Sequence, residues 1–403
     1  MKKYRNFILI LSVVLLSLSG FYINLAYSTS KLPDFYLKQT SGDAKLLDNL
    51  ELETIYNKGD FETYFTITNK GSHYQSELSF FGALDYWEKK TETAEINNLI
   101  NQYPSFMRGK RNDTQLYHDA NQVIYVGIDY DFSSNGGLYN FRLKINQLDK
   151  KTKDTKSFEV KLPHQEDSNY IDILDVQFLM GEVRVMILSE DETAKLHEYT
   201  INLKKEKIIA DHTILQTDIH TEQQHYYIYR VTDINPTQNN TNFVFQVDKN
   251  ISNAEGSQTA KIDLYAYNYE TGKLDILKVP EEITKQLVQE GEFQIAYDSS
   301  SLYYVNLKEA NGNQSISMLK YDFENQKITK NHTLQMEKEM SAFTINLYQN
   351  NLILTYRDEN SKPAVKIVNF DNGESVFEGT VELKDTNQKV NYDNVYIDRV
   401  TGL

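Results

Sequence analysis

A short hairpin-like sequence recurs along the chain and constrains its fold more than any other feature. Residues 264–277 read LYAYNYETGKLDIL, residues 318–329 read MLKYDFENQKIT, and residues 365–376 read VKIVNFDNGESV. In each copy, apolar residues flank an Asn or Asp, and a short polar turn separates them from a second apolar stretch. Alternation on both sides of a polar turn predicts a β-hairpin, and the Asn or Asp can hydrogen-bond the turn backbone.

The spacing of this motif predicts the architecture. Its Asn or Asp falls at Asn146, Asn202, Asn268, Asp322 and Asn369, at intervals of 47 to 66 residues. Each interval holds a further pair of strand-like runs, so each repeat supplies about four strands. We therefore expect an all-β protein, a β-propeller of six or seven four-stranded blades that share cores. Tandem β-sandwiches are the alternative, but they do not explain the recurring hairpin.

Other segments complete the expected blades or interrupt them. Residues 51–87 supply one more blade, and the tail Asn394–Leu403 is a single strand that we expect to pair with that first blade. Apolar residues at helical spacing predict short helices near 91–103 and 281–290, where Pro280 precedes the second helix. Both helices fall between blades and are interpreted as insertions in a propeller that spans 51–403.

The N-terminus has the pattern of a membrane anchor. Lys2, Lys3 and Arg5 form a basic stub, residues 1–6, which precedes the uncharged apolar run 7–27. A helix of about 20 apolar residues can cross a bilayer, whereas the apolar region of a cleaved signal has about 7–15 residues. Basic flanks stay in the cytoplasm. The sequence therefore predicts a single-pass signal anchor with the stub in the cytoplasm and the rest outside.

Two further expectations concern the membrane-proximal chain. Residues 28–50 are interpreted as a tether between the anchor and the propeller. The small residues that end at Ser28 would also serve as a cleavage site, and cleavage there would give a secreted protein instead.

Composition restricts the compartment and the partners. The chain has 403 residues, 29 Tyr, no Cys and a formal net charge of −15. Without cysteine there is no disulfide and no thiolate metal site, which for an exported chain suits a bacterial envelope. An acidic surface repels nucleic acid phosphates. We therefore expect neither a nucleic acid partner nor a cofactor. The expected partners are the membrane, through residues 7–27, and a protein of the cell envelope.

One stretch resembles a metal loop in its spacing only. Asp129 and Asp131 stand two residues apart, followed by Ser133 and Asn135, as oxygen ligands do in calcium loops. The glycine of such a loop is missing, because residue 134 is Ser. Asp129 and Asp131 are thus weak metal candidates, and a hairpin turn through Asn135 and two glycines is the other interpretation.

Tyrosines give the remaining site candidates. Tyr226, Tyr227 and Tyr229 form one cluster, and Tyr303 and Tyr304 form another. Exposed tyrosines could stack on sugars or act as hot spots for a protein partner, whereas buried ones would pack between blades. The sequence has no nucleophile elbow, phosphate-binding loop or zinc motif.

The function that these features favour is binding without catalysis. We expect a membrane-anchored extracytoplasmic binding or sensor module that recognises an envelope protein or membrane complex. The alternative is a cell-surface hydrolase that acts on glycan or peptide in the propeller channel. An enzyme would gather ionisable residues with perturbed pKa values at one end of that channel.

The topology can be tested on intact cells that make the full chain with a C-terminal tag. Protease added outside should digest residues beyond about 31, because the basic stub holds the N-terminus inside. A C-terminal region that stays fully protected would contradict the predicted orientation.

Overall fold

The computed structural model describes most of the chain after residue 31. The described residues are 10–17, 19–20, 32–58, 61–78, 82, 93–134, 136–163, 168–218, 220–221, 224–253, 256–288, 293–310, 313–336, 341–348 and 350–402. Over these residues the protein is an all-β structure with a few short helices.

Twenty-seven strands and four short α-helices have both ends within the described residues, in addition to the helical residues 10–17 and 19–20. The strands are β1 (Phe35–Gly42), β2 (Glu51–Lys58), β3 (Phe61–Ile67), β4 (Ser72–Tyr74), β5 (Leu116–His118), β6 (Gln122–Phe132), β7 (Leu138–Asp149), β8 (Thr155–Lys161), β9 (Tyr170–Leu179), β10 (Glu182–Glu190), β11 (Thr193–Asn202), β12 (Lys207–Asp218), β13 (His220–Thr221), β14 (Gln224–Arg230), β15 (Thr232–Asp233), β16 (Asn242–Asn253), β17 (Gly256–Asn268), β18 (Lys273–Ile276), β19 (Phe293–Tyr297), β20 (Ser301–Ala310), β21 (Asn313–Asp322), β22 (Lys327–Gln335), β23 (Ser341–Tyr348), β24 (Asn351–Arg357), β25 (Pro363–Asn369), β26 (Ser375–Leu383) and β27 (Val395–Thr401). The helices are α1 (Ala44–Leu47), α2 (Ala94–Gln102), α3 (Pro104–Met107) and α4 (Glu281–Val288).

The chain divides into two compact units. Unit 1 comprises residues 1–94, 337–369 and 374–403, and unit 2 comprises residues 95–336 and 370–373. The described strands form six sheets of four or five strands, of which unit 2 holds four. In chain order these four are sheet II (β5-β6-β7-β8), sheet III (β9-β10-β11-β12), sheet IV (β13-β14-β16-β17-β18) and sheet V (β15-β19-β20-β21-β22).

Successive sheets of unit 2 share hydrophobic cores. Between sheets II and III, residues such as Phe141 and Ile187 are at most 1% exposed. A second core joins sheets III and IV, and a third joins sheets IV and V. One four-stranded sheet cannot bury its own faces, so each sheet gains its core from its neighbours in the sequence.

Strand burial follows from position within a sheet. The interior strand β10 is nearly continuously buried, because it packs on both faces. The outermost strand β22 instead alternates strictly between exposed and half-buried residues. An alternation of apolar and polar residues with a period of two therefore occurs only in strands that have one face in solvent.

The two helices predicted from helical spacing are present. In α2, Ile96 and Leu99 are buried against sheet II, and in α4, Ile283 and Leu287 are buried in the core between sheets IV and V. Each short amphipathic helix is thus held by tertiary packing rather than by its own propensity.

The Asn and Asp of the recurring motif close the hairpins as predicted in three repeats. The side-chain oxygens of Asn202, Asn268 and Asp322 each accept a hydrogen bond from a backbone amide two or three residues later. The prediction was wrong for Asn146, since β7 continues past it and Asp149 accepts the turn amides instead. Because the motif is less regular around residue 146, the predicted turn lies three residues before the observed one.

A crossing loop, residues 234–241, connects all four sheets of unit 2. Its backbone bonds with the amide of His118 in sheet II, at 2.8 Å, and with the carbonyl of Tyr297 in sheet V, at 3.0 Å. It also bonds with the side chain of Gln177 in sheet III and the amide of Tyr269, which follows β17 of sheet IV. The loop therefore depends on every sheet of the unit.

Unit 1 contains the other two sheets. Sheet I has the order β27-β2-β3-β4, and sheet VI has the order β1-β26-β25-β24-β23. The C-terminal strand β27 pairs antiparallel with β2, as predicted for the tail. One aromatic and aliphatic core joins these sheets, with Phe35, Phe65 and Phe377 fully buried.

Residues 28–50 are not a tether over their described part. Within them, β1 pairs antiparallel along β26, so that Phe35 lies opposite Leu383 and Leu37 opposite Val381. The prediction failed because the partner strand is more than 330 residues away, and no local pattern reveals it.

The N-terminal segment is described only in part. Residues 10–17 and 19–20 are helical, whereas residues 1–6 and the rest of 7–27 lie outside the described residues. No helix in the described part of the chain is long and apolar enough to cross a membrane.

Arg357 at the end of β24 attaches sheet VI to the chain that enters β27. Its guanidinium donates to the backbone carbonyls of Tyr392, Asp393 and Val395 at 2.6, 3.2 and 2.9 Å. The side chain is 9% exposed, and its charge lies 5.3 Å from the ring centre of Tyr396. One planar cation thus bridges three carbonyls of the segment that enters β27.

Substitution of Arg357 should destabilise unit 1. Arg357→Met keeps the apolar stem but removes the charge-assisted hydrogen bonds, and we expect a loss of about 2–4 kcal/mol in the free energy of unfolding. Urea unfolding measures this, with Lys70→Met, at an exposed position of the same unit, as the control. Equal unfolding midpoints for the two variants would contradict the role given to Arg357.

Candidate functional site

Tyr229 is the exposed member of the predicted tyrosine cluster, and the half-buried Tyr227 lies beside it. Both lie on one face of β14, and their rings stack with centres 6.1 Å apart and planes 22° apart. The side chain of Tyr229 is 48% exposed. Stacked rings that face solvent leave aromatic surface available to a ligand.

A third tyrosine extends this surface. Tyr170 begins β9, is 46% exposed and lies directly opposite Glu190 of β10. Burial raises the pKa of the Tyr229 phenol, and the charges of Asp248 and, to a smaller extent, Glu190 raise it further. The charge of Glu190 therefore acts on tyrosines of two neighbouring sheets.

Three carboxylates accompany these rings. Burial raises the pKa of Asp172 and of Glu190, and it raises the pKa of Asp248 to about 6. In the register, Asp248 lies opposite Tyr227. We name the set Tyr170, Asp172, Glu190, Tyr227, Tyr229 and Asp248 the tyrosine–carboxylate patch.

The patch lacks a cation of its own. Within the described residues, Asp172 and Asp248 accept hydrogen bonds only from neutral groups, and the carboxylate of Glu190 has no ion pair. A carboxylate whose pKa is raised by burial gains free energy when a cation arrives. Tyrosine faces also attract ammonium and guanidinium groups. The patch can therefore bind a basic ligand.

The other predicted tyrosines have packing roles. Tyr303 and Tyr304 are 1% and 2% exposed, so no ring face is open to a ligand. The hydroxyl of Tyr303 donates to Asp298 at 2.7 Å, and its ring meets Phe370 edge-on. Tyr226 packs against the core between sheets III and IV, with the ammonium of Lys249 5.9 Å from its ring centre.

The weak metal candidates are engaged in ion pairs. Arg142 lies 3.2 Å from Asp129 and 3.4 Å from Asp131, and Lys144 lies 3.0 Å from Asp129. Hydrogen bonds from these cations and from Asn140 lower the pKa of both carboxyl groups. Over the described part of the chain, which excludes residue 135, no group of three metal-binding side chains occurs.

A second cluster, which sequence reasoning missed, is buried where β9 meets the crossing loop. Asp175 accepts from the hydroxyl of Tyr269 at 2.7 Å and from the amide of Gln177 at 3.2 Å. Asn240 bonds with Gln177 and donates to Asp233 at 3.0 Å. Burial raises the pKa of Asp175 to about 6 and raises that of Asp233.

This buried polar cluster also contains donors without partners. Within the described residues, Arg230 Nε and Nη2 and the hydroxyl of Tyr297 make no hydrogen bond. Asp175 and Asp233 are 0% and 4% exposed. Shifted carboxyl groups are typical of active sites, but they are equally typical of buried structural networks. Here the hydrogen bonds fix the crossing loop, and among the described residues no Ser, Cys, His or Lys side chain bonds with either acid.

Comparisons with known proteins give no family. No family model matches the chain, and no curated protein matches it. Among solved structures, a PL25 ulvan lyase is 10% identical, with 88% of this chain and 87% of that chain covered and a TM-score of 0.35. An apocarotenoid oxygenase of Synechocystis is 8% identical (87% and 93% covered, TM-score 0.38), and TolB from Acinetobacter baumannii is 12% identical (88% and 81% covered, TM-score 0.23). These scores are too low to assign a fold or a function.

Asp175 should make stability depend on pH. Because its folded pKa of about 6 exceeds the usual 3.8, the folded chain binds this proton more tightly, and the free energy of unfolding falls as pH rises from about 4 to 6. Asp175→Asn should remove about 2–3 kcal/mol of that fall, as measured by urea unfolding at several pH values.

The control is Asp154→Asn, which changes an exposed aspartate of the same unit. It should keep the wild-type dependence. If Asp175→Asn followed the same curve as the wild type, the raised pKa would be refuted.

Proposed function

We propose that the protein is a six-bladed β-propeller, held outside the membrane by residues 7–27, that binds a basic segment of a cell-envelope protein. The blade interpretation is supported by the repeat spacing, by six sheets of four or five strands among the described residues, and by the shared cores of unit 2. Sheet I also takes its edge strand from the C-terminus, and sheet VI takes β1 from the N-terminal part. Such exchange of terminal strands suits a closed ring.

The tyrosine–carboxylate patch is the observation that carries the binding function. It combines two tyrosines that are almost half exposed with three carboxylates that have no cation within the described residues. Interface hot spots are rich in tyrosine, and charge complementarity selects the partner. A segment that carries Lys or Arg supplies both the cation–π contact and the missing counter-charge.

A hydrolase is the alternative function, and the buried polar cluster is its best support. A hydrolase that uses carboxyl groups as acid and base needs them within reach of the substrate. Asp175 and Asp233 are instead enclosed, and their oxygens accept hydrogen bonds from Tyr269, Asn240 and their neighbours. The geometry therefore favours binding over catalysis.

A labelled octalysine peptide tests the binding function. Titrated with the purified full chain and followed by fluorescence anisotropy, it should bind the wild type, and Tyr229→Ala should weaken binding about fivefold or more. Glu190→Gln should weaken binding and reduce its dependence on salt. Binding should also weaken as pH falls below about 6, where Asp248 becomes neutral.

Two matched variants control for nonspecific attraction to an acidic protein. Tyr139→Ala removes a tyrosine that is 40% exposed elsewhere, and Glu192→Gln removes an exposed carboxylate two residues from Glu190. Neither should change the affinity by more than about twofold, as is usual for a charge outside the interface. Equal losses in patch and control variants would exclude the patch as the binding surface.

A further inference from the structure

Lysines gather where the outer strands of sheets II and III meet, although the chain as a whole is acidic. Residues 150–161 and 203–207 together contain eight lysines and three carboxylates, whereas the full chain has a formal net charge of −15. Six of these lysines are exposed and make no ion pair among the described residues, and we name them the lysine surface: Lys151, Lys153, Lys161, Lys204, Lys205 and Lys207. A ligand here lies within a Debye length of these lysines, about 10 Å at 0.1 M salt, so it responds to their charge more than to distant acidic residues.

The two lysine-rich segments are held together by a side chain that crosses between the sheets. The ammonium of Lys156 in β8 donates to the carbonyl of Leu203 at 2.9 Å and pairs with Glu206 at 2.8 Å. Beneath them, Val160 and Leu203 are buried in the core that sheets II and III share. The backbone that carries the lysine surface is therefore fixed by packing, although the lysine side chains are in solvent.

The two turns that carry most of these lysines are closed in the same way. In the β7–β8 turn, Asp149 accepts hydrogen bonds from the backbone amides of Lys151 and Thr152. In the β11–β12 turn, Asn202 accepts from the backbone amide of Lys205. These bonds order the turns through the backbone and leave the ammonium groups available. A ligand therefore meets turns that are already ordered, which lowers the entropic cost of binding.

An open cleft of about 460 Å³ lies within the lysine surface. Lys161 and Pro163 line it from the side of sheet II, and Lys207 and Ile208 line it from the side of sheet III. A flexible chain can lie in such a cleft, whereas a flat bilayer cannot enter it. The described lining contains no aromatic ring on which a nucleic acid base could stack. The shape therefore favours an extended polymer over a membrane or a nucleic acid.

The carboxylates that line the cleft do not neutralise the lysine surface. Glu159 lies 3.8 Å from Lys144, and Glu206 lies 2.8 Å from Lys156, so each carboxylate has a cation that is not part of that surface. An ammonium group binds phosphate as a point charge, whereas bidentate recognition of a planar carboxylate favours arginine. The two lysine-rich segments contain no arginine. Their charge therefore suits a ligand with phosphate groups.

We propose that the lysine surface binds an extended polymer that carries phosphate groups along a backbone without bases. Lysines spread over two turns and a cleft can each contact a different phosphate, and the counterions released from the polymer then favour binding. The lysine surface shares no residue with the tyrosine–carboxylate patch, so this site and the peptide site succeed or fail independently.

Inorganic polyphosphate is the probe that tests this site. Titrated by calorimetry into the purified full chain at several salt concentrations, it should bind the wild type, with an affinity that falls as salt rises. Lys205→Gln/Lys207→Gln should weaken binding about fivefold or more and reduce the slope of log affinity against log salt by about 1.4, because each contact with a single phosphate chain contributes about 0.7. Both positions are exposed, so the melting temperature should not change.

Lys278→Gln/Lys327→Gln is the matched control, because it removes two exposed lysines of unit 2 that lie outside the lysine surface and gives the same net charge. It should change the affinity by less than about twofold. Equal losses in the two double variants, or no binding of polyphosphate to the wild type, would overturn the proposal. Tighter binding of phosphatidylglycerol vesicles or of oligothymidylate than of polyphosphate would also overturn it, since the partner would then be a membrane or a nucleic acid.

Discussion

The crossing loop, residues 234–241, is the constraint on which the rest of unit 2 depends. Thr237 and Asn240 are 0% and 3% exposed, so each of their polar groups needs a partner inside the protein. Those partners lie in different places: Thr237 donates to Glu95 of α2 at 2.6 Å, and Asn240 bonds with Gln177 of β9. Although burial opposes it, the hydrogen bonds that converge on Glu95 lower the pKa of this carboxyl to about 2. The loop can therefore adopt this conformation only when the surrounding sheets are in place, so the packing of each sheet depends on the others.

Hydrogen bonds between residues close in sequence could be predicted, whereas the pairing of strands distant in sequence could not. The hairpins at Asn202, Asn268 and Asp322 were predictable because an Asn or Asp oxygen hydrogen-bonds amides two or three residues away, within one stretch of sequence. The pairing of β1 with β26 depends on residues more than 330 positions apart, and nothing in residues 35–42 indicates that partner. The C-terminal strand β27 could be predicted only because residues 394–403 contain one strand-like run and no hairpin motif.

The candidate site likewise combines features that the sequence indicates with features that it does not. Tyr229 and Tyr304 have similar sequence surroundings, with tyrosines and apolar residues nearby in a strand-like run. Tyr229 is 48% exposed because it lies on β14, near the edge of sheet IV, whereas Tyr304 lies inside sheet V with cores on both faces of its strand. Position within the sheet decides which tyrosines reach solvent, and periodicity does not report that position. The carboxylates of the patch could not be predicted either, because the charge of Glu190 acts on Tyr229 from a neighbouring sheet.

The recurring hairpin separates the residues that hold the fold from those that can vary. In three of the turns, the Asn or Asp side chain of the motif supplies the hydrogen bonds that close the hairpin, as Asn268 does for the amides of Glu270 and Thr271. The residues between that side chain and the next strand make few obligatory bonds, so ETGK, ENQK and KKEK all fit the same turn. Two such turns, which follow β17 and β21, lie side by side and line a cleft. The Asn and Asp of the motif fix the shape of this cleft, and the variable residues supply its other polar and charged side chains. A chain built in this way can change the side chains of its turns without changing how it folds.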